Sequence, residues 1–158
     1  MCSALSVSPP AEQTQHVFTY GSLMFAPVWE RVCRGRYRNA SAILKGYARL
    51  SVRNESYPAA IPAHSTAEIT GLVYFNVSAA DIELLDQFEG AEYVRRESQV
   101  SIVGAQGMEN VSALFYEFID QARVEPKPWD VDAFATEGIK SFLARHVQGF
   151  IQTGSRQS

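Results

Sequence analysis

Two places in the chain bring together residue types that could do chemistry. The first is Tyr20-Gly21-Ser22-Leu23-Met24, which follows the short β-prone run from His16 to Tyr20 and precedes a helical segment opening at Pro27. A Gly-Ser turn between a strand and a helix exposes successive backbone N–H groups, and that concavity can hold a carboxylate or a developing oxyanion. It is equally the ordinary way to end a strand. The second place is Glu89. At about 100° per residue, Ile82, Leu85 and Phe88 share one side of a short helix and Glu89 projects between Ile82 and Leu85. A carboxylate in an apolar slot is desolvated, so its pKa rises and it can take and return a proton near neutral pH. The alternative is a frayed terminal residue with its side chain in water, because Gly90 follows directly.

Other chemistries lack their residues. There is no G-x-x-x-x-G-K-[ST] and no G-x-G-x-x-G, so nucleotide binding has no support, and Ser22 lacks the G-x-S-x-G setting of a hydrolase nucleophile. Ser22 therefore reads as a binding residue. The two cysteines, Cys2 and Cys33, are far apart, and His16, His64 and His146 are isolated, so no disulfide framework, metal site or cofactor is expected. With 14 Lys+Arg against 17 Asp+Glu, a net charge of −3 and a pI near 5.6, the chain has no excess positive charge for nucleic acid or an anionic membrane surface. Small-molecule partners and a cytoplasmic location fit better, since no apolar run approaches the roughly 18 residues of a membrane span.

The elements that must position these residues follow from pattern. Met1–Gln15 reads as a flexible leader, 16–150 as one domain and 151–158 as a flexible tail. Val28, Trp29, Val32 and Cys33 recur at helical spacing up to Gly35. Ser41 to Arg53 alternates like one half-buried strand bent at Gly46, and Tyr57–Pro62, with two prolines, allows only an edge strand or an extended crossing. Glu68–Val77 is a further strand. Ser78 and Asp81 then form a helix-starting pair, and the helix runs to Phe88 or Glu89. Strands Tyr93–Val103 and Val111–Ile119 flank a turn over Gly104–Asn110, and Trp129–Val147 is a last amphipathic helix that caps the cavity or packs the core. Six strands and three helices without regular βαβ alternation indicate an α+β domain, a curled and mostly antiparallel sheet or small barrel.

The string from Val17 to Met24 resembles the Y-G-S/T-L/N signature of the gamma-glutamylcyclotransferase-like superfamily, which includes the avirulence-induced plant proteins. Leu85-Asp86-Gln87-Phe88-Glu89-Gly90 with Tyr93-Val94-Arg95 resembles its second signature, L-D-x-x-E-G with a nearby Y-x-R. Gly46–Arg49, Tyr57–Ile61 and Gly71–Tyr74 are similar to family segments too, so the likeness spans Val17 to about Phe118. The resemblance implies a mixed, mostly antiparallel small β-barrel with flanking helices. It also implies cleavage of gamma-glutamyl amides by cyclisation, releasing 5-oxoproline and an amine or amino acid. Carried over by position, Glu89 is the catalytic acid and base, and Tyr20, Gly21, Ser22, Leu23, Met24 and Phe25 line the pocket. Arg49, Tyr57 and Tyr93 are auxiliary candidates, with a surface or structural role as the alternative for Arg49 and Tyr57. The nucleophile is the substrate's own alpha-amine, so no Ser or Cys nucleophile, metal or cofactor is implied. Met24-Phe25-Ala26 stands where glutathione-specific members usually carry a Trp, which disfavours glutathione and leaves a gamma-glutamylamine or gamma-glutamyl amino acid open. The expected partner is a small gamma-glutamyl substrate bound by a monomer or homodimer. A non-catalytic module binding a small carboxylate or amide on the same fold is the competing reading.

Overall fold

Apolar residues on both faces of the strands decide the architecture seen in a computed structural model, which describes residues 14–104 and 107–144. The elements run β1 (Thr14–Thr19), a 3-10 turn (Ser22–Met24), α1 (Ala26–Val32), β2 (Asn39–Lys45), β3 (Tyr47–Val52) and β4 (Pro58–Pro62). β5 (Glu68–Ser78), α2 (Ala79–Glu89), a 3-10 turn (Gly90–Glu92), β6 (Tyr93–Gly104), β7 (Gly107–Phe118) and β8 (Val124–Pro128) follow. The last helix is α3 (Val131–Ala133), a wide π segment (Phe134–Gly138) and α4 (Ile139–Phe142). Its first residues are capped by Asp130, whose Oδ1 accepts the Ala133 N–H at 3.0 Å. The Met1–Gln15 leader up to residue 13, the 151–158 tail and the expected end of the last helix at Val147 lie outside the described residues.

Five strands close a barrel in the order β1-β5-β2-β6-β7. All neighbours are antiparallel except the closing pair, in which β1 runs parallel to β7 with His16 opposite Ala113 and Val17 opposite Leu114. Phe18, Leu44, Ile69, Val73, Val100 and Phe115 fill the space enclosed by the strands. Their sequence neighbours Val17, Tyr74, Leu114 and Tyr116 point the other way and pack with α1, α2 and the last helix in a second apolar layer. The chain is thus α+β, a mixed and mostly antiparallel barrel with flanking helices. No helix among the described residues is long and apolar enough to cross a membrane.

Several boundaries differ from the sequence reading: β1 takes in Thr14 and Gln15 of the expected leader, and the last helix starts at Val131 rather than Trp129. Ser41–Arg53 is not one bent strand. At Gly46 the chain leaves the barrel, so β2 pairs with β5 while β3 belongs to a separate three-stranded sheet ordered β4-β3-β8. β8, carrying Pro126 and Pro128, was not expected as a strand; it pairs with β3 only at Leu50–Pro128 and Val52–Val124 and forms an edge, where missing donors are tolerated. The β6–β7 ladder continues to Gly104–Gly107, so the turn is tighter than Gly104–Asn110.

The start of α2 is anchored more strongly than a cap alone would do. Ser78 Oγ accepts the Asp81 N–H at 3.2 Å as the sequence suggests. Asp81, 2% exposed, then accepts the N–H groups of Arg34 and Gly35, both at 2.9 Å, and the Tyr37 hydroxyl at 2.6 Å. This carboxylate ties the loop after α1 to α2. Asp81→Ala leaves the Arg34 and Gly35 N–H groups without an acceptor and the Tyr37 hydroxyl with only Ser78 Oγ at 3.2 Å, and is expected to lower unfolding free energy by about 2–4 kcal/mol, with Asp81→Asn losing less, both read by urea denaturation.

Candidate active site

The end of β1 and the end of α2 meet over one cavity of about 150 Å³. On the β1 side the chain turns at Tyr20, whose hydroxyl donates to the Tyr116 carbonyl inside the barrel. The carbonyls that follow are all occupied. Arg49 Nη1 donates to Tyr20 O at 3.0 Å, Met24 N–H to Gly21 O at 3.0 Å, Phe25 N–H to Ser22 O at 3.1 Å, and the Tyr74 hydroxyl to Leu23 O at 3.0 Å. The N–H groups of Gly21, Ser22 and Leu23, three residues of the cavity wall, have no backbone acceptor among the described residues. Glycine is required at position 21 by contact: a Cβ there would sit 2.8 Å from Pro58 Cδ and Cγ at the start of β4.

On the α2 side Gly90 ends the helix with φ +70°, a conformation that L side chains rarely adopt, and its N–H bonds back to Asp86 O. The chain then turns through Glu92 into β6, so Glu89, Glu92 and Tyr93 come round onto the same cavity as Phe88. Tyr57, Pro58, Tyr116 and Phe142 complete this side. Among the described residues the wall holds two carboxyls and four phenols but no Lys, Arg or His.

Glu89 is the unusual group. As a residue it is half-buried, because it borders an open cavity, but its carboxyl is densely surrounded and makes no hydrogen bond or ion pair with the described residues. Burial, then the charges of Glu92 and Asp86, push its pKa up to about 8. The neighbouring acids differ in having partners. Asp86 accepts the Tyr116 hydroxyl at 2.7 Å and pairs with Arg95 at 2.7 Å. Glu92 accepts the Tyr57 hydroxyl at 3.0 Å and pairs with Arg123, which also reaches Glu55 at 3.5 Å. Burial holds the Tyr20 and Tyr93 phenols well above their ordinary range, with the Tyr93 hydroxyl donating to Pro58 O at 2.8 Å. They stay protonated at physiological pH.

Of the residues singled out from sequence, Tyr20, Gly21, Ser22, Leu23, Tyr57, Glu89 and Tyr93 share the cavity. Met24 and Phe25 are not in its wall. Both pack into the outer apolar layer, Phe25 with its ring 5.2 Å from that of Phe134, so the departure at Met24-Phe25-Ala26 does not contact the cavity. Arg49 is also outside the wall, behind the Tyr20 carbonyl. Trp129 lies away from the cavity too, donating to Ser56 O at 2.8 Å, and Phe142 is the residue of the last helix that lines it. Sequence reasoning missed Glu92, Tyr116 and Phe142. Glu92 is two positions beyond the glycine that turns the chain, and nothing in its own context marks it. Among the described residues no group of three or more His, Cys, Asp or Glu could hold a metal.

The mixed five-stranded barrel with flanking helices has the gamma-glutamylcyclotransferase fold. A solved gamma-glutamyl cyclotransferase superposes with a TM-score of 0.58 at 16% identity, covering 72% of this chain and 69% of that one. The sequence model of the family described as gamma-glutamyl cyclotransferase, AIG2-like, matches residues 17–131, and the chain belongs to that family. AIG2-like protein D of Arabidopsis thaliana is 32% identical over 140 residues, 88% of this chain and 86% of the relative. A solution structure from Arabidopsis thaliana matches with a TM-score of 0.63 at 26% identity over 90% of this chain and 91% of its own. The yeast gamma-glutamyl cyclotransferase specific to glutathione shares the fold, with a TM-score of 0.59 at 14% identity over 91% of this chain and 96% of that one.

A raised carboxyl pKa has a direct consequence for stability. The folded protein holds the Glu89 proton more tightly than the unfolded chain, where the group titrates near 4.5. The ionised form is therefore the one that folding penalises. The penalty grows as pH rises from about 4.5 and is complete above about 8. Glu89→Gln does not titrate, so the stability difference between variant and parent should move in the variant's favour by about 1–2 kcal/mol between pH 4 and pH 9, a figure reduced for the residue's partial exposure. Urea unfolding at the two pH values measures it.

Proposed function

We propose that this protein cleaves gamma-glutamyl amides by intramolecular cyclisation, giving 5-oxoproline and a free amine or amino acid. The observation that carries the proposal is a carboxyl with a pKa near 8 and no hydrogen bond or ion pair among the described residues, on the same cavity as three consecutive residues whose N–H groups have no backbone acceptor there. Glu89 takes a proton from the substrate's alpha-ammonium, a group that ordinarily titrates at about 8, so donor and acceptor are closely matched. The freed amine attacks the gamma-carbonyl and forms a carbon–nitrogen bond. Negative charge develops on the carbonyl oxygen, and the N–H groups of Gly21, Ser22 and Leu23 are suited to receive it or the alpha-carboxylate. Collapse of the tetrahedral intermediate breaks the original amide bond as Glu89 returns its proton to the departing nitrogen, and the second proton lost by the attacking nitrogen passes to the released amine, which leaves as its ammonium form beside a neutral lactam. Bending the gamma-glutamyl chain so that nitrogen meets carbonyl is positional work, and the rings of Phe18, Phe88, Tyr93 and Phe142 give the cavity shape for it.

Incubation with a panel of gamma-glutamyl amides should release 5-oxoproline from at least one member, and Glu89→Gln should lower that rate about 10²–10⁴-fold while remaining folded. No release from any member, with 5-oxoproline still bound, would favour the binding module instead. The pH profile provides a separate check. On its acid side kcat/KM should fall about tenfold per pH unit below about 8, as Glu89 takes up a proton. Glu92→Gln removes a neighbouring charge and should move that limb to lower pH.

A further inference from the structure

Arg49 lies partly buried on β3 with no carboxylate partner among the described residues. Its Nη1 donates to two carbonyls, Tyr20 O at 3.0 Å and Thr70 O at 3.1 Å, and its guanidinium lies over the Trp129 ring at 5.6 Å. Removing a cation from water without a counter-charge is costly, so this is a poor device for stability alone. Arginine also keeps its charge when buried. What it does hold is one end of a particular peptide unit. Tyr20 C=O and Gly21 N–H belong to the same amide, and a cation bonded to the oxygen draws density from the nitrogen and strengthens the N–H as a donor. The next two amides are polarised in the same sense, but by the neutral N–H groups of Met24 and Phe25. Across the cavity the cations are already committed, Arg95 to Asp86 and Arg123 to Glu92.

We propose that Arg49 is a positioning residue of this site, the charged end of a relay from guanidinium through the Tyr20 carbonyl to the Gly21 N–H. The relay makes Gly21 the principal donor to the carboxylate or oxyanion of the bound gamma-glutamyl group, and that ligand supplies the counter-charge Arg49 lacks. This rests on the cyclisation reading for the ligand's identity, while the relay itself predicts binding of any small carboxylate.

The test is an amide NMR titration of the full ¹⁵N-labelled chain with 5-oxoproline and, separately, with acetate as a bare carboxylate. In the parent the Gly21 amide should shift more than those of Ser22 and Leu23 and saturate. Arg49→Met keeps the aliphatic stem without the charge and should weaken both probes about tenfold, the loss expected for one charge-assisted hydrogen bond. Arg49→Lys should stay within about threefold of the parent. A purely structural role, stitching β3 to the barrel, would lower thermal stability in both variants without moving probe affinity in the folded protein, and that result would overturn the proposal. If Arg49→Met does not fold, the parent decides: a Gly21 amide unresponsive to both probes overturns the relay. Arg49-dependent binding without 5-oxoproline release would sink the cyclisation reading and leave the relay standing, whereas release unchanged in Arg49→Met would do the reverse.

Discussion

The site depends on one unfavourable arrangement, a carboxyl in an aromatic-lined cavity with neither a cation nor a donor upon it among the described residues. In water Glu89 would be ionised and solvated; in the cavity it meets Phe88, Tyr93, Tyr20 and Phe142. A lone buried charge is expensive, so the group answers by binding its proton more tightly. The arrangement persists because the nearby charges are disposed to sustain it. Asp86 and Glu92 bracket Glu89 and both oppose its ionisation, while the arginines that could relieve it are drawn off to those two acids. The outcome is a carboxyl whose protonation changes near pH 8.

Facing the carboxyl is a wall of opposite character. The parallel pairing of β1 with β7 brings the end of β1 beside Tyr116, and the Tyr20 hydroxyl fastens it there. Every carbonyl from Tyr20 to Leu23 accepts a hydrogen bond, whereas the N–H groups of Gly21, Ser22 and Leu23, buried residues of the cavity wall, have no backbone acceptor among the described residues. Acid on one side and amide donors on the other form a polar pair across an aromatic cavity. Such a pair suits a substrate that loses a proton at one end and gains negative charge at the other. The two apolar layers, one inside the barrel and one beneath the helices, hold both walls in place.

Local signals showed some of this and long-range ones withheld the rest. The bounds of α2 were readable because three features agree: the Ser78 cap, the Ile82-Leu85-Phe88 stripe and the glycine at position 90. The strand pairs that close the barrel were less so, because Val17-Phe18 and Leu114-Phe115 are buried on both faces and period-two alternation disappears. At Gly46 the alternation of Leu44, Ala48, Leu50 and Val52 ran on unbroken while the chain changed sheets, since each sheet needs the same pattern. β8 was hidden by its prolines. Family resemblance pointed to Glu89 and the Tyr20 turn, but it extended the wall to Met24 and Phe25. The 3-10 turn closes at Met24, which carries both into the outer apolar layer. Glu92, Tyr116 and Phe142 reach the cavity through a turn, a strand and a distant helix, contacts that no single segment encodes.

The fold, rather than any partner, sets the protonation of Glu89. The most direct measurement is a ¹³C NMR titration of the side-chain carboxyl in selectively labelled protein. A midpoint near 8 is expected for Glu89. A midpoint between about 4 and 5, the range of a solvated glutamate, would contradict it.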